Sequence, residues 1–135
     1  MESQRTGHGY TSAFGTLYGY IRAVQLHAYT RLVWRNPRPL TYCEVGFNGG
    51  HGTTAMLMAN PNLVAYSFDL GAHGYSDGAY ELLSLYFGER FQPIRGDSTR
   101  ALPEFASANA SVKCDVILVD GDHRYKGALR DIVNM

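Results

Sequence analysis

From Leu40 to the C-terminus, short apolar runs alternate with segments of helical period. The runs are LTYCEV (40 to 45), LVAYSFD (63 to 69), RFQPIR (90 to 95) and DVILVD (115 to 120). Helical patterns begin near Thr53, cover roughly 76 to 87 and 99 to 108, and resume at about Tyr125. Runs such as VILV carry no polar alternation, the pattern of strands covered on both faces. The order βαβαβαβα therefore predicts an α/β fold, a parallel sheet with helices on both faces and right-handed crossovers. Ahead of it, Phe14, Leu17, Tyr18, Ile21, Ala28, Tyr29, Leu32 and Val33 fall near helical spacing. An N-terminal amphipathic helix is expected over Phe14 to Val33, ended by NPRP at 36 to 39. The chain then divides into a tail and amphipathic helix, residues 1–39, and the α/β unit, residues 40–135.

A chain of 135 residues, 45% of them hydrophobic, suffices for one core of useful size. Twelve basic and twelve acidic side chains cancel, so no global field draws nucleic acid or an anionic membrane to it. No apolar run approaches the roughly 20 residues of a membrane helix, and MESQRTGHGYTS lacks the apolar centre of a signal peptide. The expectation is a soluble, cytoplasmic protein with no nucleic acid and no membrane among its partners. Cys43 and Cys114 are too few for a disulfide framework and lack metal-ligand spacing. Counted along straight strands at some 3.3 Å per residue, they should lie about 13 Å apart as free thiols.

Ligands of such sheets bind beyond the carboxyl ends of the strands. Four acids, Glu44, Asp69, Asp97 and Asp120, sit at or near those ends. One acid there is explained well enough by a helix cap; four are harder to dismiss. The first strand runs into GFNGGHGTT, in which no lysine follows the last glycine, so a P-loop is excluded. A G-x-G-x-x-G fingerprint counted from Gly46 meets Asn48 and His51 where glycines belong. The spacing that fits is E-x-G-x-x-x-G, over Glu44, Gly46 and Gly50. A carboxylate there repels a pyrophosphate but suits a ligand with an ammonium and a sulfonium, namely S-adenosylmethionine.

CEVGFNGGHGT, YSFDLG, GDST and DVILVDGDHRYKGALRDI, in this order and spacing, closely resemble class I S-adenosylmethionine-dependent methyltransferases, particularly the small methyltransferase 24 type domains. The resemblance runs from about Leu40 to the C-terminus and implies a Rossmann-like sheet of strand order 3-2-1-4. It places the methionine portion against Gly46, Asn48 and Gly50, with Glu44 near the ammonium and Asp69 on the ribose hydroxyls. It puts the adenine edge at Asp97 and Ser98 and the transferable methyl at Asp120, with Phe47 and Leu70 as further cofactor-binding residues of the first two loops. Asp120 or His123 is the expected catalytic base. Asp120 and Asp122 are weak candidates for a divalent metal, as in the metal-assisted sugar and catechol methyltransferases that VDGDHRY also resembles. The ligand set for a hard cation is incomplete, so no metal is expected. Simpler structural roles compete: Asp97 and Asp122 as helix caps, and His51 and His123 as packing residues.

The family has seven strands and this chain ends at DIVNM, so a form truncated after the fourth strand is expected. The expected function is methyl transfer to an oxygen or nitrogen of a small-molecule acceptor, or the cofactor-binding part of such an enzyme. The alternatives are a non-catalytic S-adenosylmethionine-binding or assembly module and, more weakly, an NAD-dependent oxidoreductase. DVILVD would form a sheet edge without lysine, proline or bulge to blunt it. It is expected to be covered by the N-terminal helix or by a second chain in a two-fold homodimer.

Overall fold

The computed structural model describes residues 21–135 together with the backbone of residues 5–6, 9–12 and 15–18. Three short strands, β1 (Arg5–Thr6), β2 (Gly9–Ser12) and β3 (Gly15–Tyr18), form an antiparallel sheet in which Gly9 pairs with Tyr18 and Ser12 with Gly15. Helix α1 (Ala23–Val33) follows. The expected helix is therefore shorter by its first nine residues. Phe14 lies outside the described residues, and Leu17 and Tyr18 fall in β3. Apolar spacing alone does not separate the two states over so few residues. Gly15, Thr16 and Tyr18 are poor helix formers, and Thr and Tyr favour strands. At Ala23 the helix takes over, with the Arg22 amide donating to Gln25 Oε1 at 3.0 Å, and Pro37 closes it as expected.

The remainder is the α/β unit. Strands β4 (Leu40–Val45), β5 (Leu63–Asp69), β6 (Phe91–Arg95) and β7 (Val116–Val119) form one parallel sheet in the order β6-β5-β4-β7. This is 3-2-1-4 counted within the unit. Helices α2 (His51–Ala59), α3 (Ser76–Phe87), α4 (Ser98–Ala108) and α5 (Tyr125–Asn134) alternate with the strands. Side chains of β4 alternate between two cores, as strand geometry requires. Leu40 and Tyr42 join Met56, Leu57, Leu63 and Phe91 on the side of α2 and α3. Val45 joins Phe68, Ala101 and Leu102 on the side of α4. Tyr42, Met56, Leu57, Leu63 and Phe68 are each no more than 1% exposed, and burial of each contributes about 1.5–3 kcal/mol. Asn60, fully buried, donates to the carbonyls of Val33 and Asn36 and accepts from the Asn62 amide. It thereby ties the end of α1 to the end of α2.

Two features depart from a straight-strand reading. Cys43 and Cys114 are joined by a disulfide, with Cα atoms 5.8 Å apart, and no cysteine is free among the described residues. The expected separation of about 13 Å assumed that the chain before β7 runs on in line. Instead the ladder starts at Val116, opposite Tyr42, and the chain bends at Asp115. Asp115 clamps that bend: its amide donates to the Thr41 carbonyl at 2.8 Å, and its Oδ2 accepts from the Thr41 amide at 2.9 Å. The preceding Cys114 is turned back onto β4. Secondly, β7 is paired by β4 alone among the described residues, and Ile117 in its middle is 47% exposed.

Candidate functional site

The carboxyl ends of β4, β5 and β7 and the loops that follow them, together with the loop after β6, open into a cleft of about 1490 Å³. It is larger than a typical small-ligand pocket of roughly 300–1,000 Å³. Its floor is the glycine loop after β4. Three of the glycines there are bare because protein, rather than open space, occupies the position of a side chain. A Cβ on Gly46 (φ +97°) would meet the Asp120 carbonyl, one on Gly50 (φ +75°) would lie 2.6 Å from the Phe47 ring, and one on Gly52 2.5 Å from Glu44 Oε1. Gly46 thus lets the ends of β4 and β7 close together, and Gly50 lets α2 begin from a left-handed residue.

Glu44 lies beneath this loop, 2% exposed. Oε1 accepts from the Tyr42 hydroxyl at 3.0 Å, and Oε2 from Thr53, whose hydroxyl also lies 2.7 Å from Ser67 Oγ. Burial outweighs these hydrogen bonds and pushes the carboxyl pKa up to about 7. Phe47 lines the cleft, but its ring turns inward and stacks on Tyr80 at 4.5 Å and Phe91 at 5.4 Å. Asn48, left-handed at φ +53°, is held from three sides. Its amide donates to Asp69 Oδ2 at 2.9 Å, its carbonyl accepts from Ser76 Oγ at 2.9 Å, and its side-chain oxygen accepts from Tyr75. Asp69 accepts a second amide, from Gly71, on Oδ1 at 2.6 Å. The last residue of β5 is therefore a carboxylate fixed by two main-chain donors from two loops. Leu70 beside it is 68% exposed at the cleft wall.

Asp97 caps α4, its Oδ1 accepting from the Thr99 amide at 2.9 Å; the Thr99 side chain first, and that amide second, hold its carboxyl below the usual range. The cap role and the cleft position thus coincide in one residue. Ser98 Oγ donates at 2.6 Å to Asp131 Oδ1, a buried acid of α5 that the sequence reading passed over. Beyond β7, His123 Nε2 lies 3.4 Å from Asp120 Oδ1, and both side chains are more than half exposed at the cleft. Asp122 is taken up by Arg124, through the amide at 3.0 Å and the guanidinium at 2.8 and 2.9 Å, which holds its carboxyl at about 2. Among the described residues no three His, Cys, Asp or Glu side chains converge as a metal site. Ile21, Arg22, Gln25 and Tyr29, from α1 and the residues before it, also line the cleft. Arg22 and Gln25, three residues apart, put a short polar stripe on this side. The apolar reading of the helix included Ile21 and Tyr29, and Tyr29 also packs against the core, but it passed over these two.

The fold has solved counterparts. The calicheamicin methyltransferase CalS11 matches with a TM-score of 0.65 at 16% identity, over 84% of this chain and 60% of that one. The pyocyanin biosynthetic protein PhzM matches with a TM-score of 0.58 at 27% identity, over 81% of this chain and 31% of that one. TrmK of M. capricolum, solved with S-adenosyl-homocysteine, matches with a TM-score of 0.52 at 12% identity, over 76% and 42%. The chain thus spans less than two thirds of each of these proteins. No curated protein sequence is similar enough to count as a match. A family model described as a methyltransferase domain matches residues 43–135, more than half of the chain and the whole of the cleft-forming unit from Cys43 onward, and the chain belongs to that methyltransferase domain family.

Proposed function

We propose that this cleft binds S-adenosylmethionine and that the protein transfers its methyl group to an oxygen or nitrogen of a small molecule. The observation that carries the reading is Asp69: a carboxylate at the end of β5, held by the amides of Asn48 and Gly71, beside an exposed leucine at the wall of a large cleft. Its two fixed oxygens keep acceptor capacity for a vicinal diol, and Leu70 offers an apolar surface to the nucleoside. At one end, Glu44 puts a buried carboxyl under the loop that faces a cationic amino-acid portion. At the other, Asp97 and Ser98 face an adenine edge, where a carboxylate accepts from the exocyclic amine. The residues present fit the cofactor.

When bound, S-adenosylmethionine supplies an electrophilic methyl on a sulfonium, which leaves as the neutral thioether once the new bond to the acceptor forms. The chain's own part is alignment and one proton. Most of the rate in such a displacement comes from holding nucleophile and methyl in line. His123, oriented by Asp120, takes the proton from the acceptor hydroxyl or amine. The polar stripe of α1 provides the facing wall. No divalent metal is included, because Asp122 is committed to Arg124.

The exposed, unblunted β7 edge also supports a homodimer through antiparallel pairing of two β7 strands. Release of S-adenosylhomocysteine, measured across phenol, alcohol and amine acceptors, tests the activity. Turnover with one class is expected. Inactivity across the panel, despite cofactor binding, would favour a non-catalytic binding module. Light scattering should give twice the 15.0 kDa chain mass; a monodisperse monomer would end the dimer proposal.

A further inference from the structure

Asp131 is an acid in an unusual place. It sits on α5 with 2% of its surface exposed, and one of its oxygens, Oδ2, has no hydrogen-bond partner among the described residues. Burying a charged or polar group is costly unless it is hydrogen-bonded, so an oxygen left unpaired in such a place calls for an explanation. The surroundings supply one. Oδ1 accepts from Ser98 Oγ at 2.6 Å, at the first residue of α4 and next to Asp97. Oδ2 lies beneath Gly121, 3.4 Å from where a Cβ of that residue would stand, and so under the loop that carries Asp120 and His123. The loops after β6 and β7 leave opposite edges of the sheet. Asp131 is wedged between them and lines the cleft that both enclose.

We propose that Asp131 is a positioning residue for purine recognition: through Ser98 it fixes the start of α4, so that Asp97 presents its remaining acceptor capacity to the exocyclic amine of the base. The inference rests on the reading of the cleft as an adenosine site. With Asp97 in place, an adenine amine donates to the carboxylate, whereas a 6-oxo purine sets a carbonyl against it. The site therefore discriminates between the two bases, and discrimination is lost when the loop is released. Asp131→Asn keeps an oxygen for the Ser98 hydroxyl; Asp131→Ala and Ser98→Ala do not.

Calorimetry with S-adenosylhomocysteine and its 6-oxo analogue S-inosylhomocysteine, on wild type and the three variants, separates positioning from plain support. Urea unfolding of each, run in parallel, reports stability. The adenosine-over-inosine affinity ratio should fall about tenfold in Asp131→Ala and Ser98→Ala, the equivalent of one hydrogen bond, and should persist in Asp131→Asn. A ratio unchanged in Ser98→Ala, with only the urea midpoint lowered, overturns the proposal, and this holds whether or not Asp131→Ala folds. Failure of the wild type to bind S-adenosylhomocysteine overturns the cofactor reading and this inference with it.

Discussion

Replacement of Glu44 by glutamine isolates the energetic cost of a buried acid at the floor of the cleft. The side chain is 2% exposed, and burial lifts its pKa from an ordinary 4.5 to about 7, with the hydroxyls of Thr53, Tyr42 and Ser67 offsetting only part of the effect. Between those two values the folded protein keeps a proton that the unfolded chain has released. Folding stability from this group is therefore complete below pH 4.5 and is lost as pH rises through about 7. At about 1.36 kcal/mol for each tenfold change in proton affinity, the loss is about 3 kcal/mol, a large share of a typical stability of about 5–15 kcal/mol. Glu44→Gln cannot ionise, keeps an acceptor for the Tyr42 hydroxyl, and offers its amide to the oxygens of Thr53 and Ser67. Urea unfolding followed by circular dichroism, for both proteins across this range, gives the free energies by linear extrapolation. The variant should gain about 3 kcal/mol relative to wild type between acid and pH 8, with other titrations cancelling in the difference. Parallel pH profiles would refute the reasoning, because they would mean that Glu44 titrates at the same pH in the folded protein as in the unfolded chain.

Gly46→Ala forces a Cβ onto the Asp120 carbonyl at a φ of +97°; strain and separation of β4 from β7 should together cost about 3 kcal/mol or more, visible as a lowered urea midpoint and weaker S-adenosylhomocysteine binding. A variant of full stability would show that the two strand ends have room to part. The Cys43–Cys114 disulfide closes a span of 71 residues, so reduction should lower stability by about 4 kcal/mol in the chain-entropy estimate. Thiol titration of denatured, unreduced protein should find no free thiol; two would contradict the pairing. His123→Ala should reduce turnover by at least about a hundredfold if His123 takes the acceptor proton, with S-adenosylhomocysteine affinity little changed; equal turnover would remove it from the mechanism.

Much of the architecture was open to sequence reading because it rests on local pattern. The apolar runs LTYCEV and LVAYSFD and the helical period after them marked β4, β5 and α3, whose boundaries follow to the residue. VILV marked a strand too, but the cover on both faces expected from its lack of polar alternation is not met, because Ile117 is 47% exposed. The start of α1 was not legible, since Leu17 and Tyr18 keep helical spacing while their backbone pairs with β2. Nor was the disulfide, which depends on a bend at Asp115 fixed by a hydrogen bond across 74 residues. The glycines were visible but their cause was not. A bare loop suggests room for a ligand, yet at Gly46, Gly50 and Gly52 the room is taken by Asp120, Phe47 and Glu44. Asp131 offered only a weak signal, its i,i+4 spacing from Gly127 on the buried side of α5. A single acid in a polar helix is usually solvated, and only the packing shows otherwise.

The central claim is that the cleft above β4 and β5 is an S-adenosylmethionine site, and calorimetry with S-adenosylhomocysteine on the folded chain tests it most directly. Saturable one-to-one binding is predicted, strengthening as pH rises toward about 7 because the ammonium of the ligand favours the ionised form of Glu44, with Asp69→Ala abolishing most of the affinity. No heat of binding at about 1 mM ligand, the upper end of the usual KM range, in a protein shown by circular dichroism to be folded, would contradict it.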